Sequence, residues 1–121
     1  MATHVLIVDD EPSIAMSLEF IMKKQGYETD VVDDGAKALQ RIEETRPDVV
    51  LLDVMLPSHD GFEVCRRIRE REEWDELKVL MITAKGREED VKKGLAMGAD
   101  GYVTKPFAIK DVVARVEQLL T

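Results

Sequence analysis

Short runs of apolar residues alternate along this chain with longer stretches in which apolar residues recur every three or four positions. A run of about four apolar residues predicts a strand that is buried on both faces, as strands of parallel sheets are. The wider spacing predicts amphipathic helices. The predicted strands begin near residues 4, 27, 48, 78 and 101, and a helix is predicted after each of them.

Regular alternation of strands and helices with short links is typical of an α/β fold. We therefore predict a five-stranded parallel sheet that is doubly wound, with five helices covering both of its faces. The central strand is predicted from the apolar run 49–52, which Pro47 and Asp48 precede. Because no repeat, low-complexity segment or linker interrupts the pattern, a single domain is expected over residues 1–121.

Polar side chains follow four of the predicted strands, at the point where each apolar run ends. They are Asp9 and Asp10 after the first strand, Asp53 after the third, Thr83 after the fourth and Lys105 after the fifth. Ligands of open α/β sheets bind beyond the carboxyl ends of the strands, and parallel strands bring those ends to one edge. The sequence therefore predicts a polar site at that edge.

The residue types at this edge indicate a particular chemistry. Neighbouring carboxylates repel one another unless a cation lies among them, and oxygen ligands without His or Cys favour Mg²⁺, with Mn²⁺ as a substitute. A lysine and a threonine can bind phosphate oxygens, so the set predicts phosphoryl transfer with Asp53 as the nucleophile. Each residue also has an ordinary interpretation: an acidic helix start for Asp9 and Asp10 together with Glu11, a turn for Thr83, and a solvated charge for Lys105.

The composition narrows the classes of function further. Of the 121 residues, 45% are hydrophobic and 35% are charged, as in ordered globular proteins. The net charge of −8 argues against nucleic-acid binding. No apolar run reaches the roughly 20 residues of a membrane span, and residues 1–4 do not begin a secretion signal, which fits a cytoplasmic protein. The single cysteine, Cys65, excludes an internal disulfide and is predicted to be a small buried residue.

The motifs at the strand ends, taken in order, resemble those of receiver domains of two-component response regulators, and the resemblance covers the whole chain. They are Val-Asp-Asp-Glu at 8–11, Leu-Asp-Val-Met-Leu-Pro at 52–57 with Asp-Gly at 60–61, Ile-Thr-Ala at 82–84 and Thr-Lys-Pro-Phe at 104–107. The resemblance implies a flavodoxin-like sheet with strand order 2-1-3-4-5. It also implies a signalling switch that accepts a phosphoryl group from a histidine kinase or a histidine phosphotransfer protein, with no separate turnover substrate.

The resemblance also implies the roles of the acidic residues. Asp53 is implied to be the phosphoacceptor and a ligand of Mg²⁺. Asp10 and the backbone carbonyl of Met55 are implied to be the other protein ligands of the metal, and Asp9 is implied to act on it through water. A site with few carboxylates, several waters and a phosphate oxygen is the usual environment of Mg²⁺ in proteins.

A conformational switch is a further implication of the resemblance. Thr83 and Lys105 are implied to bind the phosphoryl group, and the Lys105–Pro106 peptide bond is implied to be cis. Thr83 then moves toward the phosphoryl group and Tyr102, the aromatic residue of the last strand, turns inward. The face formed by the fourth helix, the fifth strand and the fifth helix would thereby change its preference for a partner or an attached output domain.

Residues 87–120 resemble receivers that are attached to winged-helix DNA-binding domains. Lys93, Asp100 and Arg115 stand where those receivers have charges for pairing, which implies a homodimer on phosphorylation. Gly101 departs from the pattern, because those receivers often have a second acid there. Pairing through these charges and ordinary surface charge both stay open from the sequence.

Three other classes of protein share part of the pattern. A metal-dependent aspartyl-phosphate phosphatase has a spacer between two aspartates after its first strand, whereas Asp9 and Asp10 are adjacent. A flavodoxin-like electron carrier needs a glycine- and hydroxyl-rich phosphate loop where this chain has acids. A receiver-like binding module that is never phosphorylated also stays open, although no residue of the acidic pocket is missing.

Overall fold

Five parallel strands form one sheet in the computed structural model, which describes residues 3–56, 60–84 and 87–121. In chain order the strands are β1 (His4–Val8), β2 (Glu28–Val32), β3 (Val49–Asp53), β4 (Lys78–Ala84) and β5 (Gly101–Lys105). Their order across the sheet is β2-β1-β3-β4-β5, and each neighbouring pair is parallel. The predicted fold class and strand order are confirmed.

A helix follows each strand, as the periodicity predicts. The helices are α1 (Pro12–Lys24), α2 (Gly35–Thr45), α3 (Gly61–Arg69), α4 (Glu88–Ala96) and α5 (Ile109–Leu120). The charged stretch between α3 and β4 contains one 3-10 turn at Glu72–Trp74. No helix in the described part of the chain has the length and hydrophobicity that a membrane-spanning segment requires.

Side chains alternate between the two faces along each strand, so the sheet separates two hydrophobic cores. In β3, Val50 and Leu52 belong to the core under α2 and α3, whereas Val49 and Leu51 belong to the core under α1 and α5. All five residues of β3 are buried. This two-sided burial explains why the strand is a continuous apolar run, and it confirms the predicted central strand.

Local sequence signals fix where the helices begin and end. Pro12 occupies the first turn of α1, where its missing N–H costs nothing. Asp34 and Asp60 cap α2 and α3, since each carboxylate accepts a hydrogen bond from a backbone N–H of the first turn. Gly26 ends α1 in the left-handed region with φ of 88°.

Trp74 and Cys65 both lie in the core beneath α2 and α3. The sequence alone does not decide whether Trp74 is buried, and the structure buries it beneath the Arg71 guanidinium, 4.0 Å from the ring centre. Cys65 is buried as predicted. Burial raises the pKa of its thiol to about 11, so the thiol stays protonated and unreactive at neutral pH.

Candidate functional site

The carboxyl ends of β1, β3, β4 and β5 meet at one edge of the sheet, as parallel pairing requires. Asp53, the last residue of β3, pairs with Ile82 of β4. Asp9, Asp10 and Asp53 each have a carboxylate oxygen within 4.8 Å of the others. Asp9 and Asp53 are buried, whereas Asp10 is exposed to solvent. The three acids therefore gather in one cluster that is open on one side.

The ammonium of Lys105 closes the cluster from the side of β5. Its Nζ lies 3.3 Å from Asp53 Oδ2, 3.3 Å from Asp9 Oδ2 and 3.1 Å from Glu11 Oε1. Asp10 adds a fourth carboxylate to the same edge. Counting only the described residues, this edge therefore holds four carboxylates and one ammonium, which gives it an excess of acidic groups.

Asp53 is oriented by the backbone but disfavoured as an anion by its surroundings. Its Oδ1 accepts a hydrogen bond from the Met55 N–H at 3.1 Å, and the residue is 3% exposed. Burial, and then the nearby charge of Asp9, raises the pKa of Asp53 to about 6, against the opposing effects of the Met55 N–H and of Lys105. A buried carboxylate with a raised pKa in a charged pocket is typical of a functional site.

Lys105 shows the opposite balance of effects. Burial by itself would lower the pKa of Lys105, but the carboxylates of Asp53, Glu11 and Asp9 together raise the pKa above its ordinary value. The side chain is therefore a permanent cation at neutral pH. The Lys105–Pro106 peptide bond is cis, as the resemblance implies.

Two buried polar atoms at this edge have no hydrogen-bond partner among the described residues: Thr83 Oγ1 and Asp9 Oδ2. Asp9 Oδ2 faces Lys105 Nζ at 3.3 Å without hydrogen-bond geometry. Buried polar atoms that stay unpaired are costly, and most are paired in native proteins. A cation among the aspartates and a phosphate oxygen beside Thr83 would satisfy both atoms, so the donor set fits the predicted chemistry.

The start of α3 approaches the backbone of Asp53 closely. The Gly61 N–H donates to the Val54 carbonyl at 2.9 Å, and a Cβ at Gly61 would collide with the Asp53 carbonyl oxygen. Only glycine fits this approach, which gives the Asp-Gly motif its physical reason. Residues 57–59 and 85–86, among them the proline of the preceding motif, lie outside the described residues.

Tyr102 and Thr83, the two residues expected to switch, lie on one face of the sheet. Tyr102 pairs with Met81 of β4 and packs partly against the core that contains Met81. Thr83 lies two residues after Met81 on the same strand, so its side chain is on the same face of the sheet. The Tyr102 ring is half-buried and lies 5.6 Å from the Arg115 guanidinium. It lines a groove of about 430 Å³ toward α5 and one of about 370 Å³ toward α4.

The three charges expected to pair with a second copy lie outside the acidic cluster, and each has a contact within the chain. Lys93 Nζ lies 4.6 Å from the ring centre of Phe62. The Asp100 carboxylate accepts a hydrogen bond from Arg69 at 2.7 Å. Arg115 lies over the ring of the tyrosine on β5. A second copy would have to compete with these contacts.

Glu11 is the residue at this edge that the sequence interpretation missed. The sequence indicates it only as part of an acidic helix start and of the Val-Asp-Asp-Glu motif, yet its carboxylate contacts Lys105. Glu11 is the N-cap residue of α1, but its side chain makes no capping hydrogen bond. The available signal was a third consecutive acid at a helix start where one N-cap residue is enough.

Comparison with known proteins identifies the family. A model of the response regulator receiver domain matches residues 5–117. The structure resembles that of a candidate response regulator from Chloroflexus aurantiacus, with 37% identity, a TM-score of 0.97, and coverage of 99% of this chain and 98% of that chain. It also resembles the signal receiver domain of a signal transduction histidine kinase from Syntrophus aciditrophicus (34% identity, TM-score 0.91, coverage 98% and 90%). The BeF3-activated DrrB receiver domain is a third similar structure (36% identity, TM-score 0.88, coverage of 99% of this chain and 98% of that chain). This chain belongs to the response regulator receiver domain family.

Proposed function

We propose that this chain is a phosphorylation-activated switch that accepts a phosphoryl group on Asp53 in the presence of Mg²⁺. One observation carries the proposal: the carboxylate of Asp53 ends a fully buried strand, shares a cluster with two other aspartates, and lies 3.3 Å from the ammonium of Lys105. A nucleophile, a candidate cation site and a phosphate-binding cation therefore meet at one point. The histidine kinase or histidine phosphotransfer protein that supplies the phosphoryl group is inferred from the family.

The residues that would hold the metal are Asp10, Asp53 and the backbone carbonyl of Met55, with Asp9 acting through water. Mg²⁺, or Mn²⁺ in its place, would neutralise charge on the transferring phosphoryl group. The cluster supports this assignment because it is rich in carboxylate oxygens and open to solvent at Asp10. The metal should also offset the burial and the nearby charge of Asp9, which together raise the pKa of Asp53.

In the transfer itself, an Asp53 carboxylate oxygen attacks phosphorus in line with the leaving group. The new phosphorus–oxygen bond forms as the bond to the donor breaks, and the donor leaves with the electron pair. Lys105 and the Thr83 hydroxyl would bind the phosphoryl oxygens, as their position and the unpaired Thr83 Oγ1 support. The product is an acyl phosphate on Asp53, which water can later hydrolyse.

The switch would act through the face formed by α4, β5 and α5. The phosphoryl group adds roughly −1.5 to −2 charge and three acceptor oxygens at this edge. Thr83 moving toward it would open space on the face of the sheet that Tyr102 shares, and the two grooves beside the ring give Tyr102 room to turn. The altered face would then bind a partner or an output domain.

Docking of the phosphodonor protein is proposed along α1. Met16 and Phe20 lie one helical turn apart on α1 and are 70% and 63% exposed. Large apolar side chains that are this exposed on one helix suit contact with a helix of another protein. The location proposed for the whole system is the cytoplasm.

The test is labelling with acetyl phosphate, followed by intact-mass and peptide mass spectrometry. Wild-type protein should gain one phosphoryl group on Asp53 with Mg²⁺ and little without it, and Asp53→Asn should gain none. Asp33→Asn is the matched control, since Asp33 is an exposed carboxylate at the same edge of the sheet. Wild type that gains no adduct would favour the module that is not phosphorylated, and turnover of a phosphomonoester would favour the phosphatase.

A further inference from the structure

Glu11 contacts the Lys105 ammonium together with Asp9 and Asp53, but it differs from them in exposure and in role. Its side chain is 59% exposed, whereas those of Asp9 and Asp53 are 0% and 4% exposed. Under the proposed function, Asp53 accepts the phosphoryl group and Asp9 faces the metal. Glu11 has neither role, and yet its Oε1 makes the shortest of the three contacts, at 3.1 Å.

A backbone turn holds Glu11 in this position. Asp9 Oδ1 accepts a hydrogen bond from the Glu11 N–H at 2.9 Å, and α1 begins at the next residue, Pro12. Glu11 makes no capping hydrogen bond, although it occupies the N-cap position of α1. Its side chain instead accepts a hydrogen bond from Lys105, which is 94 residues away in the sequence.

The three contacts differ in what phosphoryl transfer does to them. Lys105 Nζ donates hydrogen bonds to Glu11 Oε1 and Asp53 Oδ2, and it lies 3.3 Å from Asp9 Oδ2 without hydrogen-bond geometry. Phosphorylation converts the Asp53 carboxylate to an acyl phosphate, and a metal would draw on the charge of Asp9. The contact with Glu11 is the one of the three that neither event consumes.

We propose that Glu11 is a positioning residue that holds the Lys105 ammonium over Asp53 for phosphoryl transfer; this inference rests on the proposed function. Lysine carries its charge on a flexible four-carbon stem, and the Lys105 side chain is 20% exposed. Without Glu11, the ammonium gains freedom to turn toward solvent. The Lys105 ammonium would then lie beside the phosphoryl oxygens for a smaller fraction of the time.

Glu11→Gln tests the proposal, because it keeps the shape of the side chain and removes its charge. At saturating Mg²⁺, we expect the rate of Asp53 labelling by acetyl phosphate to fall roughly three- to fivefold, the size typical of a lost, partly exposed ion pair. The control is Asp33→Asn, which removes a 64% exposed carboxylate that pairs with Lys37. Its labelling rate should stay within about twofold of wild type.

Two further readouts separate positioning from a general effect of charge. If Glu11 only attracts Mg²⁺ to the site, Glu11→Gln will raise the Mg²⁺ concentration that gives the half-maximal labelling rate. The labelling rate at saturating Mg²⁺ will then be unchanged, and this result would overturn the proposal. If Glu11 acts through Lys105, adding Glu11→Gln to Lys105→Met will change the rate no further; an additional loss would overturn it.

A measurement without donor or metal examines the same contact directly. NMR relaxation of the Lys105 ammonium should show faster motion in Glu11→Gln than in wild type or Asp33→Asn, and equal mobility in all three would count against the proposal. Wild type that gains no adduct on Asp53 overturns the proposed function and this inference together. Wild type that is labelled at the same rate as Glu11→Gln overturns the role of Glu11 alone.

Discussion

Arg69 and Lys105 lie at opposite ends of the sheet, and each is surrounded by oxygen atoms. Arg69 donates four hydrogen bonds of 2.7 to 3.2 Å, three to backbone carbonyls and one to the Asp100 carboxylate. Asp100 in turn accepts the Val79 N–H at 2.8 Å. Lys105 instead faces three carboxylates, and two buried polar atoms near it have no hydrogen-bond partner in the described chain.

This difference separates the part of the molecule that stabilises the fold from the part that responds to a ligand. A network in which each group is satisfied favours one conformation, and losing a member leaves buried groups unpaired. A cluster with excess negative charge is instead a source of instability that a cation or a phosphoryl group can relieve.

Arg69→Ala should lower the free energy of unfolding by about 3 kcal/mol. The change removes four hydrogen bonds, three of them to part-buried backbone carbonyls, and each hydrogen bond typically contributes roughly 0.5 to 1.5 kcal/mol. Urea unfolding measures the effect. Arg67→Ala on the same helix removes an exposed pair with Glu63 and should cost less than about 1 kcal/mol. Equal losses in the two variants would contradict the division.

Asp53→Asn should stabilise the protein at pH 7.5 without metal, by about 1 to 3 kcal/mol. Folding raises the pKa of Asp53 from 3.8 to about 6, a shift of about two units at roughly 1.4 kcal/mol each. The carboxyl group therefore stabilises the fold fully below pH 3.8, and that contribution is lost as the pH rises through about 6. Asparagine never ionises and avoids the loss.

Urea unfolding between pH 4 and pH 8 checks this prediction. The difference in the free energy of unfolding between Asp53→Asn and wild type should be near zero at pH 4. It should increase as the pH rises toward about 6 and stay constant above that pH. A difference that does not change with pH would mean that ionisation of Asp53 is not its source.

Mg²⁺ should stabilise wild type by about 1.4 kcal/mol at ten times its dissociation constant, because it binds the folded state. Thermal unfolding with Mg²⁺, and again after chelation, measures the effect. Asp10→Asn should lose most of it, whereas Asp33→Asn should keep it, since only Asp10 belongs to the cluster. Equal stabilisation of both variants would indicate nonspecific screening.

Arg115→Ala should have the smallest effect on stability, within about 1 kcal/mol, because an exposed cation over an aromatic ring contributes little. The Arg115→Ala variant also tests whether two copies pair through the α4-β5-α5 face. Sedimentation with beryllofluoride and Mg²⁺ will show whether copies pair there. If they do, Arg115→Ala and Lys93→Ala should weaken pairing; a dimer that neither variant affects would exclude these two charges from the interface.

Much of the fold and of the candidate site could be predicted because the signals are local. A buried strand needs apolar residues on both faces, so the run 49–52 marks the centre of the sheet by itself. Parallel pairing then brings the residues after each run to one edge. Asp9, Asp10 and Asp53 could therefore be expected to meet before any coordinates were known.

The tertiary structure decided which side chains contact one another across the chain. Asp100 binds Arg69, 31 residues away, and Glu11 reaches Lys105 across 94 residues. The burial of Trp74 was decided in the same way. The pattern of apolar and polar positions determines elements and edges because it reports on neighbours along the chain. The partner of a long charged side chain depends on distances in three dimensions, which that pattern does not contain.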